Sequence, residues 1–251
     1  MPRILFPDGR TQSFEKETNG FIIAESISKS LLKKAVAITV NGEQKDLCDS
    51  ITENSEIKII TNDSDEGLEI MRHTLTAQVL ARAIKILYPE AKLAIGPTIE
   101  NGFYYDVLFE KPISIDDFPL IEKEMKNIIN KGSQIEKSYK NKKQAKDLFY
   151  SIKEVYKVKI IDESEQKDNF QIYKQEDSNF FDLCRGPHLP SLKFIGPFKL
   201  TKLSGAYWKG NSKNEMLQRI YGTAWTNEKD LKNYLNQIEE AEKRDHRKLG
   251  K

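Results

Sequence analysis

The sequence is poor in the residues that carry most side-chain chemistry. Its 251 residues include only two cysteines, three histidines and two tryptophans. Two thiols, Cys48 and Cys184, cannot build a disulfide framework, so the fold must rest on apolar burial, as expected of a soluble protein in a reducing, cytoplasmic setting. Long hydrophobic runs are missing too: nothing approaches the roughly 20 apolar residues that span a bilayer. The opening Met1-Pro2-Arg3-Ile4-Leu5-Phe6 has no signal-peptide apolar region, so no membrane partner is expected. Nor is there an excess of either charge. Lys plus Arg number 40 against 38 for Asp plus Glu, a net +2, so any contact with nucleic acid must come from a local patch. The chain has no internal repeat, low-complexity tract, Walker loop, dinucleotide fingerprint or serine-hydrolase elbow. What it does have is 38% hydrophobic and 31% charged residues, a globular balance, and a length that predicts about two domains.

The scarce residues are not scattered. Cys184 and His188 stand four apart in Asn179-Phe180-Phe181-Asp182-Leu183-Cys184-Arg185-Gly186-Pro187-His188-Leu189-Pro190. Gly186 and Pro187 predict a turn that holds a thiol, an imidazole and the Arg185 guanidinium close together. His73 lies far upstream on a predicted helix. A histidine with a distant Cys-x-x-x-His can ligate a metal, orient a water or bind a polar substrate, and the spacing is compatible with all three. The plain alternative is a buried turn.

Residues 1–62 predict a compact unit. Arg3 to Phe6 reads as a strand, Pro7-Asp8-Gly9-Arg10 as a turn, and Gln12 to Glu15 as the returning strand of a hairpin. Ile23, Ile27 and Leu31 place one apolar stripe on a helix. Ala37 to Val40 and Glu56 to Thr61 read as strands, with Asn41-Gly42 a turn. This order makes a ubiquitin-like β-grasp. Its thiol, Cys48, has no His or Cys near it in sequence and is expected to pack.

Asn62-Asp63-Ser64-Asp65-Glu66-Gly67 is a polar break, after which Ser64 or Asp65 can cap a helix that runs to Tyr88 and stops at Pro89. Leu68, Met71, Leu75, Val79 and Ala83 share its apolar arc, with His73 at the edge. Leu93 to Asp106 reads as two strands around Asn101-Gly102. Residues 115–131 read as an amphipathic helix ended by Gly132, 142–150 as a helix, and Tyr156 to Ile161, on its alternation, as a strand. Strand patterns recur at Gln171 to Lys174 and Phe198 to Leu203. The region is α+β. After Trp225, Thr226 or Asn227 caps a helix whose apolar Leu231, Leu235 and Ile238 give way to a charged run that carries His246 at the surface, as in a helix leading on into a longer protein.

Ala94-Ile95-Gly96-Pro97 with Asn101-Gly102-Phe103-Tyr104-Tyr105-Asp106, then Asp182 to His188, Gly205-Ala206-Tyr207-Trp208 and Leu217 to Trp225, resemble in order the blocks of the N-terminal half of bacterial threonyl-tRNA synthetases. The resemblance covers the whole chain. It implies an α+β fold made of a TGS-type β-grasp domain (1–62), a class II synthetase editing domain (63–225) and a linker helix (226–251). A catalytic core beyond Lys251 would bind ATP, magnesium and zinc and join threonine to its tRNA, so neither cofactor nor metal is expected within these residues. The implied partners are the acceptor end of threonine tRNA and that core, in a homodimeric parent.

In that family the editing domain hydrolyses serine mischarged onto threonine tRNA. Serine is threonine less a methyl, and a difference of that size is worth only ~1–3 kcal/mol, so a second site must remove the error. The resemblance implies Lys157, His73 and His188 as catalytic, and Asp182, Cys184, Tyr104 and Gln78 as substrate-binding. Lys157 would hold the ester carbonyl oxygen or an oriented water. Asp182 would take the substrate ammonium, and the histidines the water and the terminal ribose hydroxyls. The sequence departs from the family at one place. The second histidine of the family's His-x-x-x-His falls on Ala77 if the helix is anchored on His73. If it is anchored on Ala83-Ile84-Lys85, Thr74 and Gln78 take the two places. His73 and Gln78 are then about 140° apart unless a π-bulge absorbs one residue. Two other readings fit the residues: a freestanding deacylase, and a non-catalytic RNA-binding appendage with a decayed site.

Overall fold

The structure, a computed structural model, describes residues 1–249, with side chains as far as Asp245. The expectation for His246 lies outside the described side chains. Near the N-terminus a hairpin, β1 (Arg3–Leu5) and β2 (Thr11–Ser13), is followed by α1 (Gly20–Ile27), α2 (Lys29–Lys34), β3 (Ala35–Val40), β4 (Glu43–Lys45) and β5 (Ser55–Thr61). The strands form one sheet in the order β2-β1-β5-β3-β4, with β1 and β5 parallel, which is the expected β-grasp. Its core is Ile4, Ile23, Ala24, Ile38, Leu47 and Ile57.

Two expectations fail here. The stripe Ile23, Ile27, Leu31 does not lie on one helix. Ser28 ends α1 and caps α2 by accepting from the Leu31 N–H, which leaves Ile27 40% exposed. A serine that can bond the backbone competes with the helix and restarts it at a new angle. Cys48 does not pack either; it is exposed on the loop after β4. Its thiol is pushed up to about 11, by desolvation first and then by the nearby Asp46 and Asp49 carboxylates, so at neutral pH it stays a thiol.

Ser64 caps the next helix, accepting from the Gly67 N–H. That helix is α3 (Asp65–Thr74), a π-helical stretch (Leu75–Leu80) and α4 (Ala81–Leu87) in continuous succession. All six residues of the π stretch are buried. β6 (Lys92–Leu93), β7 (Thr98–Ile99) and β8 (Gly102–Leu108) follow, then α5 (Phe118–Asn130), β9 (Ile135–Lys140), α6 (Lys142–Ser151), α7 (Val155–Glu163), β10 (Phe170–Gln175), β11 (Phe181–Leu183), β12 (Phe198–Tyr207), β13 (Met216–Ala224) and α8 (Glu228–Leu249). Strands β12-β13-β8-β6 make one antiparallel sheet, with β7 also on β8; β11-β10-β9 make another. The main core joins Leu75, Val79, Leu80 and Ile84 of the long helix to Phe103, Tyr105, Val107 and Ile220 of the larger sheet and to Ile121 and Met125 of α5. Each such aliphatic or aromatic side chain contributes about 1.5–3 kcal/mol on full burial.

Tyr156 to Ile161 is a helix, not the strand its alternation predicts. Val158 and Ile161, three apart, join the cluster around Phe149, while Tyr156 and Ile160, four apart, join that around Trp208. A helix between two apolar clusters has two greasy faces, and two such faces read in sequence as alternation.

Candidate functional site

Strand alternation aims the first acidic group. In β11, Phe181 and Leu183 pack on the Phe149 cluster, and Asp182 between them faces the other way, opposite Tyr173 in register. There its Oδ1 lies 2.9 Å from Lys157 Nζ and also accepts from the Leu183 N–H, while Oδ2 accepts from the Tyr105 hydroxyl at 3.1 Å. Lys157 donates to the same hydroxyl at 3.0 Å, which closes a triangle. Lys157 is 4% and Asp182 2% exposed, so this is a buried ion pair with its hydrogen bonds provided. Burial, and then Asp182, raise the Tyr105 pKa far above the usual phenol range, so the group remains a donor.

A second cluster sits beside it. His73 Nε2 is 2.8 Å from Cys184 Sγ, and the His73 ring stacks on His188 with centroids 4.7 Å apart and planes 6° from parallel. Thr74, the next residue on α3, holds His188 from the helix. Its Oγ1 accepts from the Leu189 N–H and lies 3.0 Å from His188 Nδ1, so its own proton can go to Nδ1 and leave the Nε2–H tautomer. His188 Nε2 is buried without a protein partner. Burial depresses the His73 pKa against the opposing pull of Asp182, so the imidazole is neutral at neutral pH.

His73, Lys157, Asp182 and Cys184 line one cavity of about 420 Å³ together with Ala77, Gly96, Pro97, Tyr105, Gln171 and Arg185. Gly96 is glycine because a Cβ there would lie 2.3 Å from the Tyr105 ring. His188 is not in the wall; it lies behind His73, buried under the His73 ring. Ligand atoms of His73, Cys184 and His188 fall within 4.8 Å of one another. The three could hold a metal ion; as placed, His73 and Cys184 pair with each other at 2.8 Å and His188 stacks on His73.

Two expected substrate contacts are elsewhere. Tyr104 is on the opposite side of β8 from the cavity, with the Arg219 guanidinium 3.9 Å over its ring. Its neighbour Tyr105 takes the place in the pocket. The burial of Phe103, Tyr105 and Val107 on one face follows a period of two and was the available signal. Gln78 is fully buried off the pocket, where its Oε1 and backbone oxygen accept from Gln175 Nε2 at 3.3 and 3.1 Å. The π stretch thus absorbs a residue without bringing Gln78 beside His73. Of positions 74, 77 and 78, Ala77 faces the cavity, Thr74 holds His188, and Gln78 braces β10.

The sequence matches two family models: the TGS domain over residues 2–61 and the threonyl and alanyl tRNA synthetase second additional domain over residues 170–221. It is 49% identical over 251 residues to a threonine–tRNA ligase of Ehrlichia canis (strain Jake), covering 100% of this chain and 39% of the relative. The same identity, with the same coverage, is found with a threonine–tRNA ligase of Francisella tularensis subsp. novicida (strain U112). A Bartonella bacilliformis threonine–tRNA ligase is 49% identical over 247 residues, 98% of this chain and 37% of the relative. The chain therefore spans about two-fifths of the length of these relatives.

Proposed function

We propose that this chain, which belongs to the N-terminal region of the bacterial threonine–tRNA ligase family, is the proofreading part of such a ligase and hydrolyses serine wrongly esterified to threonine tRNA. The observation that carries this reading is the convergence of the neutral His73, Cys184 and the Lys157–Asp182–Tyr105 triangle on one cavity. Hydrolysis of an aminoacyl ester needs a water held by a proton acceptor and a cation or donor where the carbonyl oxygen gains charge. Water adds to the ester carbon, the bond to the ribose oxygen breaks, and that oxygen leaves with the proton the water gave up. In this reading His73 orients the water, Lys157 meets the developing oxyanion, Asp182 faces the substrate ammonium, and His188, stacked beneath His73, holds that ring in place.

The reading needs no zinc in the pocket. It divides the chain at 62/63 and 225/226, assigns tRNA contact to both larger parts, and leaves threonine activation, with its ATP and metals, to a catalytic core in a dimeric, cytoplasmic parent. One observation favours a second reading, a tRNA-binding appendage with a decayed site: Ala77 puts no polar group on the pocket wall one turn after His73. Deacylation assays on seryl- and threonyl-tRNA decide between them. The expected result is slow hydrolysis of the seryl ester above buffer, lost on Lys157→Ala or His188→Ala and reduced less by His73→Ala. Binding of tRNA with no hydrolysis above buffer would leave the appendage reading standing.

A further inference from the structure

The β-grasp unit meets the second region along its sheet, where Val36, Ala37 and Ile60 join the main core, and through the loop after β4. Asp46, just after β4, is 5% exposed, and its carboxylate bonds run to residues of the second region. Its Oδ1 accepts from the His188 backbone N–H at 2.8 Å; its Oδ2 accepts from the Tyr173 hydroxyl at 2.6 Å and from Lys137 Nζ at 2.9 Å. Asp49 steadies it, taking the Asp46 N–H on Oδ2 and binding Lys137 and Tyr139 through Oδ1. All of these partners except Asp49 lie beyond residue 130.

The bonds converge on the turn that carries Cys184 and His188. The Tyr173 ring stands edge-on to the His188 imidazole, 4.4 Å between centroids. Gly186, at φ +67, passes so close over Tyr173 that a Cβ would lie 2.1 Å from its hydroxyl and 3.3 Å from Asp46 Oδ2. His188 is thus fixed from two sides: Thr74 holds its ring from α3, and Asp46 holds its backbone and, through Tyr173, the ring's edge. His73 is stacked on the result.

We propose that the β-grasp unit is a working part of the hydrolytic site, with Asp46 the positioning residue that sets the Cys184–His188 turn and, through it, the His73–His188 stack. This rests on the hydrolytic reading above for its kinetic consequence but not for its geometric one. A buried carboxylate that accepts three hydrogen bonds across an interface fixes its partners far better than a surface pair does. A displacement of about 1 Å at a catalytic group costs on the order of 10²-fold in rate.

The test uses the whole 251-residue chain in a Cys48→Ser background, so that Cys184 is its only thiol. Asp46→Asn keeps the shape and can still accept from His188 while losing the charge on Lys137; Asp46→Ala removes every bond. Tyr173→Phe, which spares the His188 N–H bond, serves as the milder control. Two quantities are read: kcat and KM for seryl-tRNA hydrolysis, and the rate at which iodoacetamide alkylates Cys184. The expected result is a fall in kcat of about 10- to 100-fold for Asp46→Ala, with KM little changed. Asp46→Asn and Tyr173→Phe should fall between it and the parent, and Cys184 should alkylate faster in the same order.

A purely structural role would lower the unfolding midpoint but leave kcat and the labelling rate of the folded fraction at parental values, and that result overturns the proposal. If the parent does not hydrolyse seryl-tRNA, the hydrolytic reading fails by itself. The labelling series then decides the positioning alone, with unchanged rates counting against it. Should Asp46→Ala not fold, the same two readouts on Asp46→Asn and Tyr173→Phe carry the test.

Discussion

Replacing Lys157 by methionine should damage the protein in two separable ways. The Lys157 ammonium and Asp182 carboxylate are 2.9 Å apart and almost fully buried. At an effective dielectric near 20 their gross attraction is about 6 kcal/mol, set against several kcal/mol of desolvation for each ion. The net value of the pair is therefore small, but removing one member leaves a buried carboxylate with only the Tyr105 hydroxyl and the Leu183 N–H, and that costs about 3–5 kcal/mol. Asp182→Asn should cost less, because the amide oxygen can still accept from Lys157. The double variant should recover much of the loss of Lys157→Met, with a coupling energy of about 2 kcal/mol. Urea unfolding measures this, followed by the fluorescence of Trp208, which packs 4.7 Å from Tyr156, the residue before Lys157. Deacylation of seryl-tRNA by the folded protein should fall by about 10²-fold or more with Lys157→Met, the usual cost of losing an oxyanion partner. Losses that add within about 0.5 kcal/mol would show that the two charges do not act as a unit. Parental deacylation by Lys157→Met would remove the lysine from the chemistry.

Burial lowers the His73 pKa below 6.5, so the unfolded chain takes up a proton at this residue before the folded one does. The stability this histidine contributes is complete above that pH and is lost as pH falls below it toward the folded value; urea midpoints between about pH 5 and 8 should show the slope, and His73→Gln should flatten it. Ala77→His should put a second imidazole on the cavity wall and raise seryl-tRNA deacylation about tenfold, a modest share of what proton-transfer groups supply. No gain in rate, with a lower unfolding midpoint, would mean that the ring does not reach the cavity.

The parts of this protein that follow a single period were legible in its sequence. Leu75, Val79 and Ala83 lie on the arc that predicts a core helix, and Ser64 caps it as expected. Legibility fails where two periods overlap. Between Leu75 and Leu80 every side chain is buried, so no polar residue marks which turn carries the extra residue. Tyr156 to Ile161 alternates for a reason unrelated to pleating. The site was readable by residue type, in the pairing of Cys184 and His188, but not by orientation: Tyr104 and Tyr105 are chemically alike, and only the face of β8 separates them. Asp46 gave no sign at all. An aspartate in a polar loop reads as solvated, and its bond to the His188 N–H spans 142 residues of chain.

The π-helical stretch separates two halves of one helix that answer to different partners. It works as a phase shifter. A regular α-helix transmits rotation rigidly, so a residue added on one side would swing everything on the other by roughly 100°. A wide turn takes up that swing locally, letting the half that carries His73 keep its facing toward Cys184 while the half that carries Ile84 keeps its seat on the sheet. Across residues 74–78 a side chain's place in the site therefore follows from which wall it stands on, and counting along a regular helix misplaces it.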